Sequence, residues 1–324
     1  MNAETIFAPV HKELELFEEQ FTHLLQSDIP LADQVIRYIA KHKGKRLRPV
    51  LVFLSGKLHG EITPKTMSAS IVVELLHTAT LVHDDVVDDS DLRRGSPTVN
   101  SLWNNKVSVL VGDLLFSRTL TTMLDLQDLE ALAILSEAAK LVTEGELLQI
   151  ERDHDFDMDE SIYFDLISKK TAALFRVSCE LGALSIKNDM ESRKRMRELG
   201  HNLGIAFQIK DDLLDYVGNQ KKIGKPTGND IRENKVTLPL IYALAKASSA
   251  DKKAILDILD QDDISDEQIA RVVDFVKKLG GVDYSIAVAR NYAEKAQQVL
   301  DFYPDSEIKT TLKNLVDFAV NRES

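Results

Sequence analysis

Apolar residues recur at three- and four-residue spacing along almost the whole chain, the pattern of helices that each bury one face. The spacing predicts helices over roughly 3–27, 30–42, 46–60, 64–89, 107–126, 128–153, 160–187, 190–218, 234–248, 251–260, 266–279, 282–302 and 305–321. No run alternates apolar and polar residues for long enough to predict a strand. Breaks fall at 60–64, 95–97, 224–228 and 280–281, each a short Gly- or Pro-bearing stretch rather than an interdomain linker. No tandem repeat or low-complexity tract interrupts the pattern. The expectation is an all-α fold: one domain over residues 1–324, a large helical bundle with a central cavity and ligand sites between facing helices. Residues 51–55 and 70–77 are apolar enough to be central.

Composition narrows the functional classes. The formal net charge of −12 argues against nucleic-acid binding. A single cysteine, Cys179, excludes an intrachain disulfide; its apolar neighbours predict a packed core residue rather than a reactive thiol. No run of about 18 uninterrupted apolar residues predicts a membrane span, and the first residues lack the basic and apolar regions of a signal peptide. A cytoplasmic protein is expected.

Acid clusters carry the candidate chemistry. Asp84, Asp85 and Asp88 close one predicted helix, and Asp211, Asp212 and Asp215 stand near the end of another. In each, the first and last aspartates are four residues apart and share a helix face. Stacked carboxylates repel, and a bound cation removes that cost. Hard oxygen ligands suit Mg²⁺, which keeps several waters and shares substrate phosphates. Two such clusters facing each other would hold a diphosphate. With 31 aspartates in 324 residues, composition alone predicts about 0.3 strings of this form. Three occur. The third, Asp262, Asp263 and Asp266, lies in a polar stretch where Ser265 and Gln268 predict a reciprocal helix cap, so it reads as a solvated helix start.

Basic groups accompany both of the other clusters. Arg93 and Arg94 follow the first; Lys225 and Lys235 follow the second; Lys169, Lys170 and Thr171 stand mid-chain. The segment 44–49, with Lys45, Arg46 and Arg48, offers a metal-free anion pocket at a helix start.

These segments together resemble the trans-isoprenyl diphosphate synthases, or polyprenyl synthetases, and within them the medium- and long-chain heptaprenyl and octaprenyl types. The motifs are GKRLRP at 44–49, ELLHTATLVHDDVVDD at 74–89, LRRG at 92–95, GDLLF at 112–116, EGELLQ at 144–149, KT at 170–171, FQIKDDLLD at 207–215 and GKPTGND at 224–230. They run in the family's order from about residue 40 to 240. The resemblance implies the isoprenoid synthase fold, a homodimer, and condensation of isopentenyl diphosphate with an allylic diphosphate such as farnesyl or geranylgeranyl diphosphate. It implies three Mg²⁺ held by Asp84, Asp85, Asp88, Asp211, Asp212 and Asp215. Arg93, Lys170, Lys225 and Lys235 would contact the allylic diphosphate. Lys45, Arg48, His77 and Arg94 would hold isopentenyl diphosphate. Thr171 and Gln208 would lie near the reacting carbons.

The family also places product-length control on the helix before the first cluster. Ala79 and Thr80 stand five and four residues before Asp84, about 6–7.5 Å along the helix, with Leu76 a turn deeper. None is aromatic, so the expected product is C30–C45, a quinone side-chain precursor. Phe116 or Met123 could close the floor instead, which would fit a geranylgeranyl (C20) synthase. A terpene cyclase would need no pocket built from Lys45 and Arg48. A non-catalytic subunit would be expected to lack aspartates that this chain keeps; the catalytic half of a heteromeric synthase stays open.

Overall fold

The structure is a computed structural model, and it describes residues 3–42, 44–93, 95–125, 127–153, 155–156, 158–217, 228–261 and 263–322. Its helices, in chain order, are α1 (Ala3–Phe7), α2 (His11–Leu24), α3 (Pro30–Lys41), α4 (Leu47–Lys57), α5 (Pro64–Val87), α6 (Val99–Leu102), α7 (Asn105–Asp125), α8 (Leu129–Arg152), α9 (Glu160–Ile167), α10 (Ala173–Leu184), α11 (Met190–Val217), α12 (Asn229–Arg232), α13 (Leu238–Lys246), α14 (Ser249–Leu259), α15 (Asp266–Lys278), α16 (Gly281–Leu300) and α17 (Glu307–Asn321).

Local chemistry sets the ends. Thr63 and Thr66 cap the start of α5 reciprocally, with Pro64 where its missing N–H costs nothing. Asp159 accepts the N–H groups of Ser161 and Ile162 at the start of α9. Where one helix was expected over 3–27, a 3₁₀ turn at Ala8–Val10 separates α1 from α2, because Pro9 supplies no N–H. Where one was expected over 160–187, a π-helical turn at Ser168–Ala172 joins α9 to α10. A two-residue antiparallel ladder, β1 (Leu92–Arg93) with β2 (Ser96–Pro97), also departs from the expectation. Gly95, at φ +75°, makes its turn.

The chain divides into two compact units. The first comprises Met1–Ala139, Leu174–Gly200 and Val299–Asn314. Here α5 packs along α7 and α4. Phe17, Phe21 and Phe53 form an aromatic cluster with ring centroids 5.1 and 6.5 Å apart. Residues 50–56 and 69–76 are buried, as their apolarity predicts. Cys179 is fully buried, and burial pushes its thiol up to about 12, so it stays protonated. Helix α7 is apolar enough for an 18-residue window to reach a mean hydropathy of 1.3, the value of a candidate membrane span. Its apolar residues serve two sides: Val111, Leu115 and Met123 are buried, while Leu110, Phe116, Leu120 and Leu124 are exposed.

The second unit comprises Lys140–Ala173, His201–Gln298 and Leu315–Ser324. Its core gathers Tyr163, Ile167, Ile205, Ile209, Leu213 and Tyr216 with Leu240, Val272 and Val276. Helix α13 packs on α9 and α15. A Cβ on Gly145 of α8 would sit 2.7 Å from the backbone nitrogen of Lys170, so this glycine lets α8 lie against the π-helical turn.

Candidate active site

The first aspartate cluster ends α5. Asp84 is half-buried, Asp85 is buried, and Asp88 is the exposed C-cap. Carboxylates here oppose the helix dipole, which favours cations at this end. The β1–β2 hairpin supplies one: Arg93 Nε donates to Asp85 Oδ1 at 2.6 Å. Thr98 Oγ1 and Asn100 Nδ2 donate to the Ser90 carbonyl and fix the segment between helix and hairpin. Arg94 lies outside the described residues.

The basic segment at 44–49 separates into two kinds of residue. Lys45 is exposed, and Arg48 is half-buried with its guanidinium 5.2 Å from the Phe175 ring centre. Arg46 turns inward to Glu18 and Glu74. Burial works against the Arg46 charge, but the two carboxylates more than offset it and raise its pKa. His77 is half-buried on α5, one turn beyond Glu74. Ala79 and Leu76 are buried on the same helix. Thr80 is half-buried, and its hydroxyl donates to the His77 carbonyl at 2.9 Å.

The second cluster stands on α11. Asp211 is exposed and pairs with Arg322, just past the end of α17, at 2.7 Å; that guanidinium lies 4.1 Å from the Phe207 ring centre. Asp212 is buried, with Oδ2 accepting from Tyr163 Oη at 2.6 Å and Oδ1 from Gln208 Nε2 at 2.7 Å. Desolvation raises its carboxyl to about 7; those two hydrogen bonds act in the opposite sense, and Asp211 and Asp215 add repulsion. Asp215 accepts the N–H groups of Asn229 and Asp230 at 3.0 and 2.9 Å. Burial raises its carboxyl, and these bonds lower it. Asp230 is raised well above the usual carboxylate range by desolvation and by Asp212 and Asp215.

Catalytic candidates converge beside this cluster. Thr171 Oγ1 donates to Gln208 Oε1 at 2.7 Å, so Thr171, Gln208 and Asp212 form one hydrogen-bonded line. Lys170 Nζ donates to Glu146 Oε2 at 2.7 Å and Gln149 Oε1 at 2.8 Å. Lys235 pairs with Glu233 at 2.7 Å. Lys225 lies outside the described residues. Sequence reasoning missed Tyr163, Asp230 and Arg322. Asp230 ended a motif already quoted and could have been found; nothing local marks the other two. At the third acid string, of which Asp262 is outside the described residues, Ser265 and Gln268 form the reciprocal cap, and Asp266 pairs with Arg232.

Among the described residues, no three His, Cys, Asp or Glu side chains converge to hold a metal ion by themselves. The donor set still fits Mg²⁺, which is bound through one or two carboxylates plus substrate phosphates rather than in an all-protein cage.

The helical architecture is the all-α isoprenoid synthase fold. A family model described as polyprenyl synthetase matches residues 29–276, and the chain belongs to that family. An all-trans-nonaprenyl-diphosphate synthase (geranyl-diphosphate specific) from Rhodobacter capsulatus is 36% identical over 98% of this chain and 97% of its own. A heptaprenyl diphosphate synthase component 2 from Geobacillus stearothermophilus is 33% identical over the whole of both chains. A crystal structure of a polyprenyl synthase from Caulobacter crescentus CB15, complexed with calcium and isoprenyl diphosphate, superposes at TM-score 0.94 with 34% identity, over 100% of this chain and 98% of that one. Geranylgeranyl pyrophosphate synthases are among the other solved neighbours. The chain is accordingly a prenyltransferase, a trans-prenyl diphosphate synthase of medium- or long-chain type.

Proposed function

We propose that this chain condenses isopentenyl diphosphate with a farnesyl or geranylgeranyl primer in a Mg²⁺-dependent reaction and releases an all-trans polyprenyl diphosphate of C30–C45, a quinone side-chain precursor. The observation that carries the reading is the hydrogen-bonded line Thr171, Gln208, Asp212, which joins a hydroxyl, an amide and a carboxylate, with Lys170 preceding Thr171 in the π-helical turn.

Asp84, Asp85, Asp88, Asp211, Asp212 and Asp215 hold the metal. Three bound Mg²⁺ would neutralise the allylic diphosphate and stabilise its charge on departure. Asp88 and Asp211 are exposed, while Asp85 and Asp212 are oriented by Arg93, Tyr163 and Gln208. Lys170, with Arg93, Lys225 and Lys235, supplies fixed positive charge where diphosphate charge develops. Lys170 is held ready by Glu146 and Gln149. Lys45, Arg48, His77 and Arg94 hold isopentenyl diphosphate without metal. Thr171 and Gln208 lie at the reacting carbons, where water must be excluded to protect the allylic cation. As the family resemblance implies, the departing diphosphate takes the final proton.

Product length follows from α5. Ala79 is small, Leu76 is aliphatic, and the Thr80 hydroxyl is occupied by the His77 carbonyl, which would leave its methyl to meet an apolar tail. The relatives' names cover several lengths and do not choose among them. Replacing Ala79 by Phe should shorten the product towards C15–C20 while turnover persists, read by mass spectrometry. An unmoved distribution would place the floor elsewhere, with buried Met123 or exposed Phe116 next to test. Incubation with farnesyl diphosphate alone should give no product; a released hydrocarbon would overturn chain extension in favour of cyclisation.

Leu110, Phe116, Leu120 and Leu124 form an exposed apolar stripe on α7 that a second copy of the chain would bury. A homodimer is the proposed assembly, in the cytoplasm. The component name of the Geobacillus relative keeps a heteromer as the other outcome. Gel filtration of the chain alone, with product assay of each peak, separates the two.

A further inference from the structure

We infer that Arg46 is a positioning residue for the isopentenyl diphosphate pocket, tying the segment that bears Lys45 and Arg48 to the helix that bears His77. The inference rests on the reading above that Lys45, Arg48 and His77 hold that substrate.

Arg46 has a left-handed backbone, φ 53° and ψ 33°, at the N-cap of α4. A residue with a Cβ avoids this conformation unless its surroundings impose it. The surroundings do so through the side chain. The guanidinium is 10% exposed and donates from Nη1 to Glu74 Oε1 at 2.6 Å, and from Nε to Glu18 Oε1 at 2.9 Å. Nη2 reaches Glu18 Oε2 at 3.4 Å. The same group lies 4.8 Å from the Phe21 ring centre and 5.6 Å from that of Phe17.

Buried ion pairs seldom add net stability, and their best-attested use is to fix register. The register fixed here is specific. The Arg46 carbonyl accepts the Val50 N–H at 3.1 Å, so Arg46 sets where α4 begins. Arg48 is the second residue of that helix, and Lys45 is the exposed residue just before the turn. Glu74 and His77 stand one turn apart on α5, on neighbouring positions of the helix surface. Arg46 is therefore the mechanical link among three residues assigned to one substrate, without itself facing that substrate. Its place between two anion-binding residues in GKRLRP makes it look like a third anion ligand, and its burial against Glu74 excludes that role.

The test is steady-state kinetics with each substrate varied in turn. Arg46→Lys keeps the charge but loses the planar fork that serves two carboxylates between two rings. It should raise KM for isopentenyl diphosphate about tenfold, with kcat and the allylic KM within about threefold of wild type. Glu74→Gln should move the same KM in the same direction. Glu74→Asp, which retains the charge, should lie nearer wild type. If Arg46→Lys does not fold, Glu74→Gln and Phe21→Leu carry the same test, with a smaller rise in that one KM. Equal changes in both KM values, or a thermal shift with neither KM changed, would reduce Arg46 to a structural anchor and overturn the inference. Lys45→Ala and Arg48→Ala are the reference. If these raise KM for isopentenyl diphosphate and Arg46→Lys does not, positioning alone is wrong. If they do not raise it, the pocket assignment and the inference fall together.

Discussion

The two aspartate clusters share one string and are neutralised differently. At Asp85 the balancing group is a cation, Arg93, delivered by a hairpin eight residues along the chain. At Asp212 the donors are neutral, the Tyr163 hydroxyl and the Gln208 amide, and burial raises the carboxyl to about 7. The second cluster's cation, Arg322, sits instead on exposed Asp211. A cationic partner keeps a carboxylate ionised across the physiological range, whereas neutral donors in a buried setting leave its charge dependent on pH and on what binds. Asp85 thus has its counter-charge beside it, whereas buried Asp212 has only neutral donors and a carboxyl raised to about 7.

The most severe way to break the comparison is to remove the leading aspartate of each cluster. Asp84→Ala and Asp211→Ala should each lower kcat by about a thousandfold or more, since each removes stabilisation of departing diphosphate charge. Near-normal turnover in either variant would sink its cluster's metal assignment. Divalent-ion titration of the purified variants should show weakened binding alongside.

Close backbone approaches sharpen the contrast next. A Cβ at Gly145 meets the backbone nitrogen of Lys170 at 2.7 Å and its Cα at 3.0 Å, and backbone yields only by moving the π-helical turn that carries Lys170 and Thr171. Gly145→Ala should lower kcat by about tenfold to a hundredfold. In the first unit, a Cβ at Gly112 meets the His83 ring at 2.2 Å, a side chain that can swing aside. Gly112→Ala should stay within about threefold of wild-type turnover, helped by the better helix propensity of alanine. Equal losses would show that the catalytic turn is no more constrained than the α5–α7 contact.

Protonation separates the clusters with a smaller effect. Because the folded-state pKa of Asp212 is raised, the metal-free native protein holds a proton there that the unfolded chain releases at ordinary carboxylate pH. This contribution to stability is present at low pH and is lost as pH rises through about 7. Urea denaturation of metal-free protein at pH 6 and pH 8 should show the loss, Mg²⁺ should diminish it, and Asp212→Asn should flatten it. Tyr163→Phe removes a donor to the charged form, so the transition should move to higher pH, with about 1–3 kcal/mol of destabilisation from the unsatisfied oxygen. An unchanged pH profile in Asp212→Asn would assign the titration to another group, with Asp230 the first candidate.

Much of this molecule was legible beforehand because its strongest signals are local. Long apolar periodicity marked α5 and α11, and both clusters were visible as strings on those helices. What escaped depends on contacts distant in sequence. Tyr163 reaches Asp212 across 49 residues and Arg322 reaches Asp211 across 111, and neither leaves a mark on its own neighbours. The π-helical turn looks like ordinary helix in the sequence, and its close seat against Gly145 is a contact between segments distant in the chain. Within 44–49, composition showed three cations but could not tell that Arg46 turns inward, which only Glu18 and Glu74 determine.

The smallest effect tests the reasoning that separated sites from string. At the third acid cluster, the Ser265 hydroxyl accepts the Gln268 N–H at 3.3 Å, and the Gln268 side chain accepts the Ser265 N–H at 2.9 Å. Asp266 and Glu267 occupy the first turn of α15, where negative charge suits the helix dipole. Ser265→Ala should therefore cost about 1 kcal/mol in urea denaturation and leave both KM values and kcat unchanged. Asp266→Asn should do less still, because its partner Arg232 forms an exposed pair of the kind that contributes little. A kinetic effect from either substitution would mean that the third string takes part in catalysis. Burial and partner identity would then be the wrong criteria for telling the clusters apart, and the contrast between Asp85 and Asp212 would lose its footing with them.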